Sequence, residues 1–302
     1  MRSGKPFPVI LFSPGLGGQT DGYSSIFLDL VSHGYVVAAI THAYDNGGII
    51  LPDNRILRYS QKWQENMSGQ MKDGEKFTIE RVKVMAADFA FALTQLEAVN
   101  RDKSSGFAGR LDLSKAGTMG HSLGGVVAPM ACQRDSRFKA CVNLDGLPTR
   151  QPYIPDEDKG PAQPFMLLTK AYIVTDLILD RTGMTRSEYE TRVRANSKRR
   201  YYSLMDKLPT KSYVMAIEGA THGSFSDGPL LGANTSEELE SAERLTRIIR
   251  VYTLGFFDQY LRNKKVELFD GPSKDYHEVL VEIFPGASKK MSVPSVRQQR
   301  KA

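Results

Sequence analysis

Six short runs of this chain are almost wholly apolar, and each is bounded by glycine, proline or a polar turn. They are PFPVILFS (6–13), YVVAAITH (35–42), AGTMG (116–120), ACVNLDG (140–146), QPFMLLTK (163–170) and SYVMAIEG (212–219). A short run with no apolar/polar alternation is the pattern of a strand covered on both faces, as in a parallel sheet. Stretches with helical spacing stand between them. Residues 22–33 bring Ile26, Phe27 and Leu30 to one side and end at Gly34. Residues 78–99 carry Val82, Met85, Phe89, Ala92, Leu93 and Leu96 on one stripe. LGGVVAPMAC (123–132) is small and apolar, suited to a helix packed tightly on a sheet, and a long helix over 236–263 closes the series. This alternation predicts an α/β fold with a mostly parallel, doubly wound sheet. The charged stretch 171–208 predicts a helical insertion before the last strands, covering a pocket. Segments 48–77 and 147–162 read as loops, 1–285 as a single domain and 286–302 as a disordered tail.

Composition narrows the class. The chain has 302 residues, 41% hydrophobic and 25% charged, as in a globular domain. No run approaches the roughly 18 uncharged apolar residues of a membrane helix. The residues before the first strand lack the apolar centre and cleavage site of a secretory signal. The compartment is therefore left open: secreted or periplasmic if an upstream signal was trimmed, otherwise cytoplasmic. The net charge of +6 favours anionic surfaces weakly, but the basic residues are scattered. The clusters at 192–200 and in the tail read as a solvated helix face and a frayed terminus, so no nucleic-acid partner is expected. Cys132 and Cys141 form either one disulfide in an exported protein or two buried thiols in a reducing compartment. Neither these nor the five histidines have zinc-ligand spacing, and no phosphate-cradling glycine motif is present, so no metal or nucleotide cofactor is expected.

The chemistry is concentrated in Gly120-His121-Ser122-Leu123-Gly124. Gly-X-Ser-X-Gly is a weak pattern alone. Here it follows a predicted strand and opens a predicted helix, the setting in which the serine sits on a sharp turn with its hydroxyl lifted clear of the sheet. The glycines remove side chains that would collide where strand and helix crowd together. The N–H of Leu123 then lies at a helix N-terminus and faces developing negative charge.

A serine hydroxyl needs a base, and the base needs an orienting group. In chains of this architecture the order is serine, acid, histidine. His222 lies in EGATHGSFSDG, just after the last predicted strand, and is the candidate base. His33 precedes a capping glycine and reads as structural. His121 belongs to the turn and is expected to point away, His42 precedes the serine and is placed to line the pocket, and His277 lies in a late polar region. Asp145 ends the strand CVNLDG at the carboxyl edge of the sheet, where ligands bind in open α/β folds, and is the candidate acid, with Asp176 as fallback. SPGLGG (13–18) follows the first strand, and by analogy of position the Leu16 N–H is the second oxyanion donor. Leu147, Tyr153, Phe165, Tyr172 and Ile173 either line an acyl pocket or belong to the core.

FPVILFSPGLGG, LVSHGYVVAAITHAYD, GHSLGG, NLDG, QPFMLLT and GATHGSFSD, in that order, resemble the plasma-type platelet-activating factor acetylhydrolase family within the α/β-hydrolases. The resemblance covers roughly residues 6–262. It differs in the proline of SPGLGG, where the animal enzymes have histidine, and in a longer, more charged 171–208 segment. It implies an α/β-hydrolase fold and a calcium-independent serine esterase that removes a short or oxidised acyl group from a phospholipid or similar ester. It implies Ser122 as nucleophile, Asp145 as orienter, His222 as base, and Leu16 and Leu123 as oxyanion donors. The expected partner is a small-molecule or lipid ester, with peripheral contact to lipid surfaces. Two other readings are a lipase-like or polyester-active carboxylesterase and a non-catalytic binding protein on the same fold. The oligomeric state is left open.

Overall fold

The computed structural model describes residues 4–146, 160–171, 179, 183–189, 191–192 and 204–287. The first apolar run forms β1 (Phe7–Ser13), buried from Pro8 onward. Its side chains alternate between two layers: Ile10 and Phe12 enter one core cluster, Val9 and Leu11 the other. The remaining strands of the main sheet are β2 (Val36–Ala39), β5 (Leu111–His121), β6 (Phe138–Leu144), β7 (Phe165–Lys170), β8 (Ser212–Ile217) and β9 (Val279–Phe284). They lie in the order β2-β1-β5-β6-β7-β8-β9, parallel throughout except for β9, which runs antiparallel to β8.

Helices cover both faces. On one side α1 (Ser24–Ser32) and α5 (Ser236–Arg262) bury Ile26, Leu30, Ile248, Ile249, Tyr252, Phe256 and Phe257 against the sheet. On the other, α3 (Gly74–Arg101) packs Val82, Met85, Phe89 and Leu93 with Val127, Ala128 and Ala131 of α4 (Leu123–Arg134). A mostly parallel sheet with helices on both faces is the doubly wound α/β arrangement expected from the sequence. Among the described residues no helix is long and apolar enough to cross a membrane. Cys132 and Cys141 are free, buried thiols, and burial pushes the Cys141 thiol well above its usual pKa.

Several elements differ from the sequence reading. YVVAAITH yields only the four residues of β2, which are half-exposed to exposed because β2 is the sheet's edge. β5 begins at Leu111, and the polar residues Asp112, Ser114 and Lys115 near its start hide it from a search for continuous apolar runs; its register against β1 shifts between Pro8 and Val9. The segment 48–77 holds a hairpin, β3 (Ile49–Ile50) with β4 (Ile56–Leu57), and α2 (Gln61–Met67), whose Trp63 is buried. β9 was not expected as a strand: its edge position leaves Leu280 and Ile283 exposed, so it lacks the double-sided burial of its neighbours. Phe165 is a core residue of β7. Most of 171–208, with Tyr172, Ile173 and Asp176, lies outside the described residues, as do Leu147, Tyr153 and 288–302. At the start of the expected tail, the Ala287 N–H donates to the Leu208 carbonyl at 2.8 Å.

Phe256 is fully buried, with ring centroids 4.9 Å from Tyr260, 5.9 Å from Phe257, 6.1 Å from Phe269 and 6.2 Å from Tyr213. Phe256→Ala leaves a cavity in this cluster and is expected to cost about 3–5 kcal/mol of unfolding free energy, read by urea denaturation. A loss under about 1 kcal/mol would mean that the cluster is not a tightly packed part of the core.

Candidate active site

β5 ends at His121 and α4 begins at Leu123, leaving Ser122 alone to make the turn. Its backbone takes φ 55° and ψ −120°, a conformation that costs a non-glycine residue on the order of 1–3 kcal/mol. The surroundings hold it there. The Ser122 N–H donates to the Leu144 carbonyl at 3.0 Å, and the Ser122 carbonyl accepts from the Gly125 N–H at 3.0 Å and the Val126 N–H at 3.3 Å. The flanking glycines answer a crowding problem. A Cβ on Gly120 would overlap the Gly124 carbonyl and come within 2.9 Å of Ser13 O; one on Gly124 would overlap Ser13 O and come within 2.6 Å of Pro14 O. Either collision would push helix from strand and move the serine.

Asp145 follows β6 and also has positive φ, at 48°. Its N–H is tied to the Leu168 carbonyl at 2.8 Å. The next residue is latched by Asn143, whose Oδ1 accepts from the Gly146 N–H at 2.6 Å and whose Nδ2 donates to the Gly146 carbonyl at 3.0 Å. The Asp145 carboxylate is 2% exposed and is held on one side by the Thr169 hydroxyl, at 2.6 Å to Oδ1. Its other oxygen faces His222 Nδ1 at 2.6 Å.

His222 opens a short 3-10 turn, His222–Phe225, fixed by a reciprocal cap between Thr221 and Ser224. Its Nε2 lies 2.9 Å from Ser122 Oγ. A carboxylate only accepts, so Nδ1 carries the proton and Nε2 accepts from the serine hydroxyl. The ring is about half exposed, with 48% of the side chain accessible, while Asp145 is sealed beneath it. Three side chains from three strand ends thus form one line: carboxylate, imidazole, hydroxyl.

Leu16 and Leu123 are each half-buried, and Leu123 directly follows the serine in the chain. The Leu123 N–H belongs to the first turn of α4, where a helix offers no partner for it, and sits at the positive end of the helix dipole. A Cβ placed on Gly15 would lie 3.1 Å from Ser122 Cβ, so the backbone leading into Leu16 passes directly against the turn.

The other histidines are accounted for. His33 caps α1 through a 2.8 Å contact of Nδ1 with the Asp29 carbonyl, and His277 is exposed beside Glu278. His42 does not line an open pocket: it is buried, with Nδ1 2.7 Å from Asp88 Oδ2 and Nε2 3.0 Å from Ser13 Oγ. His121 points away from the serine hydroxyl but into the back of the site. Its Nε2 lies 3.0 Å from the His222 carbonyl, its Nδ1 2.9 Å from Tyr23 Oη, and its ring centroid 4.7 Å from that of His222. Burial, and secondarily the repulsion that a proton on His121 would meet from the neighbouring His222 ring, push its pKa down to about 4. Neutral His121 therefore donates from Nε2 and accepts the Tyr23 hydroxyl proton at Nδ1, while Tyr23 Oη accepts the Gly15 N–H at 3.1 Å. This chain links the turn after β1 to the His222 loop. Tyr23, His121 and Thr169 were not read as site residues from the sequence. The one available signal for Thr169 was a polar residue ending an otherwise apolar run. Among the described residues no three His, Cys, Asp or Glu side chains converge to hold a metal.

The His121 environment predicts a stability effect with a defined sign. Its folded pKa of about 4 lies below the unfolded value of 6.5. Between those limits the unfolded chain binds the extra proton, so stability falls as pH drops through the window. The difference in unfolding free energy between wild type and His121→Gln should decline by up to about 3 kcal/mol from pH 7 to pH 4, by urea denaturation. A difference independent of pH would contradict a buried neutral imidazole.

Comparison with known proteins bears on this arrangement. The family model of platelet-activating factor acetylhydrolase, isoform II, matches residues 1–240. The chain is 25% identical over 280 residues to the platelet-activating factor acetylhydrolase of Cavia porcellus, covering 86% of this chain and 59% of that protein. It is 25% identical over 296 residues to a probable 1-alkyl-2-acetylglycerophosphocholine esterase of Arthroderma benhamiae, covering 90% and 65%. The chain thus spans under two thirds of the length of each relative. Among solved structures, a ferulic acid esterase from Streptomyces cinnamoneus superposes with a TM-score of 0.65 at 26% identity, covering 91% of this chain and 74% of that one. The chain belongs to the platelet-activating factor acetylhydrolase, isoform II, family.

Proposed function

We propose that the chain is a serine carboxylic-ester hydrolase acting through an acyl-enzyme. The observation that carries this reading is the unbroken line of contacts from Asp145 through His222 to Ser122, at 2.6 Å and 2.9 Å. Ser122 Oγ attacks the ester carbonyl as His222 Nε2 takes its proton. Asp145 fixes the imidazole tautomer and stabilises the imidazolium that forms. The Leu16 and Leu123 N–H groups receive the oxyanion; losing one such donor costs typically about 3–4 kcal/mol of barrier. His222 then protonates the leaving alcohol, and water, deprotonated by the same imidazole, releases the acid.

For the substrate we favour a short acyl ester on a phospholipid-type alcohol, the chemistry in the names of the Cavia and Arthroderma relatives. Such a substrate would bring the chain into peripheral contact with lipid surfaces. The likeness to a ferulic acid esterase supports a second reading, a carboxylesterase of broader acyl range, polyesters included. Acetyl, butyryl, octanoyl and feruloyl esters, an acetylated phospholipid and a polyester film, compared side by side, separate the two. The first reading expects the acetyl phospholipid to give the highest kcat/KM.

Ser122→Ala and His222→Gln should each lower kcat for p-nitrophenyl acetate by about four orders of magnitude or more, with Asp145→Asn losing about 10⁴-fold. Wild-type protein with no turnover on any ester would favour a non-catalytic binding protein. Full activity of Ser122→Ala would overturn the mechanism.

A further inference from the structure

The segment 41–46 (THAYDN), beyond the end of β2, runs behind the turn that follows β1 and is joined to it by three contacts. His42 Nε2 meets Ser13 Oγ at 3.0 Å. The Gly17 N–H donates to the Asp45 carbonyl at 2.9 Å. Asn46 Nδ2 donates to the Gly15 carbonyl at 3.1 Å. That carbonyl also accepts from the Gly18 N–H at 2.9 Å, closing a turn whose third residue, Gly17, has φ 71°. In a planar trans peptide the carbonyl of one residue and the N–H of the next point in opposite directions. A hold on the Gly15 carbonyl is therefore a hold on the direction of the Leu16 N–H. The other end of Gly15 is tied as well, through its N–H to Tyr23 Oη at 3.1 Å.

Asn46 is fully buried, and both ends of its amide are engaged. Its Oδ1 accepts the His42 N–H at 2.6 Å, which orients the group so that Nδ2 faces Gly15. The segment carrying it is anchored from below. His42 Nδ1 lies 2.7 Å from Asp88 Oδ2 on α3. The Asp45 carboxylate accepts from Trp63 Nε1 at 2.7 Å and from Arg81 Nε at 2.9 Å, with a further contact from the Arg81 guanidinium. A buried amide braced in this way defines the peptide that it holds.

We propose that Asn46 is a positioning residue for the oxyanion site: by holding the Gly15 carbonyl it aims the Leu16 N–H at the developing charge. This rests on the esterase reading. Asn46→Asp keeps the acceptor toward His42 but sets a second acceptor against the Gly15 carbonyl; Asn46→Ala removes both contacts. Each should lower kcat for p-nitrophenyl acetate by about 10- to 100-fold, with KM within about threefold of wild type. Phenylboronic acid, whose adduct with the serine mimics the tetrahedral intermediate, should lose affinity by a similar factor. Should the buried charge prevent Asn46→Asp from folding, Asn46→Ala and Asn46→Ser carry the same readout. A purely structural role would lower Tm while leaving kcat per folded molecule and boronate affinity unchanged. Folded variants with those wild-type values overturn the inference, and if Ser122→Ala is inactive in the same assay the esterase reading stands. Full activity of Ser122→Ala overturns both.

Discussion

A serine can stand at φ 55° between a strand and a helix only where strand and helix approach closely enough to hold it there. That approach is the constraint on which the rest of the site depends. Gly120 and Gly124 permit it, because any Cβ at either position would run into backbone carbonyls of the turn itself or of the chain leaving β1. The strain at Ser122 is offset by hydrogen bonds to neighbouring strand and helix, and the cores on both faces of the sheet keep those elements in place. Fold stability and the exposure of one hydroxyl are in this sense the same problem.

The second residue with positive φ in the site, Asp145, follows the same logic one strand away. A carboxylate that must meet an imidazole at 2.6 Å while being 2% exposed needs its remaining oxygen satisfied, and Thr169 does so from the neighbouring strand end. Behind the histidine, neutral His121 carries a hydrogen-bonded chain from the His222 carbonyl through Tyr23 to the Gly15 amide. His222 and the turn after β1 are thereby fixed relative to each other by groups that stand outside the line of Asp145, His222 and Ser122.

Much of this was legible in the sequence, for a physical reason. Strands covered on both faces are written as continuous apolar runs, so β1, β6, β7 and β8 stand out. Edge elements do not: β2 was read too long, and β9, buried only in part, was not read as a strand. The two-residue strands of the β3–β4 hairpin are too short to carry periodicity. Ser122, Asp145 and His222 could be named as candidates because each ends or follows a recognisable strand, and the fold brings those three side chains together. Tyr23, His121 and Asn46 could not be named, since their placement arises from contacts across 98 positions for Tyr23 with His121 and 31 for Asn46 with Gly15, and no local pattern encodes such a contact.

In the proposed mechanism Ser122 is reactive because His222 takes its proton. The most direct measurement is the rate at which a fluorophosphonate phosphonylates the protein, with the modified residue located by peptide mass spectrometry, in wild type and in His222→Gln. A base-activated serine predicts modification at Ser122 alone, and a rate that falls by several orders of magnitude when the imidazole is removed. Modification elsewhere, or a rate at Ser122 indifferent to His222, would contradict it.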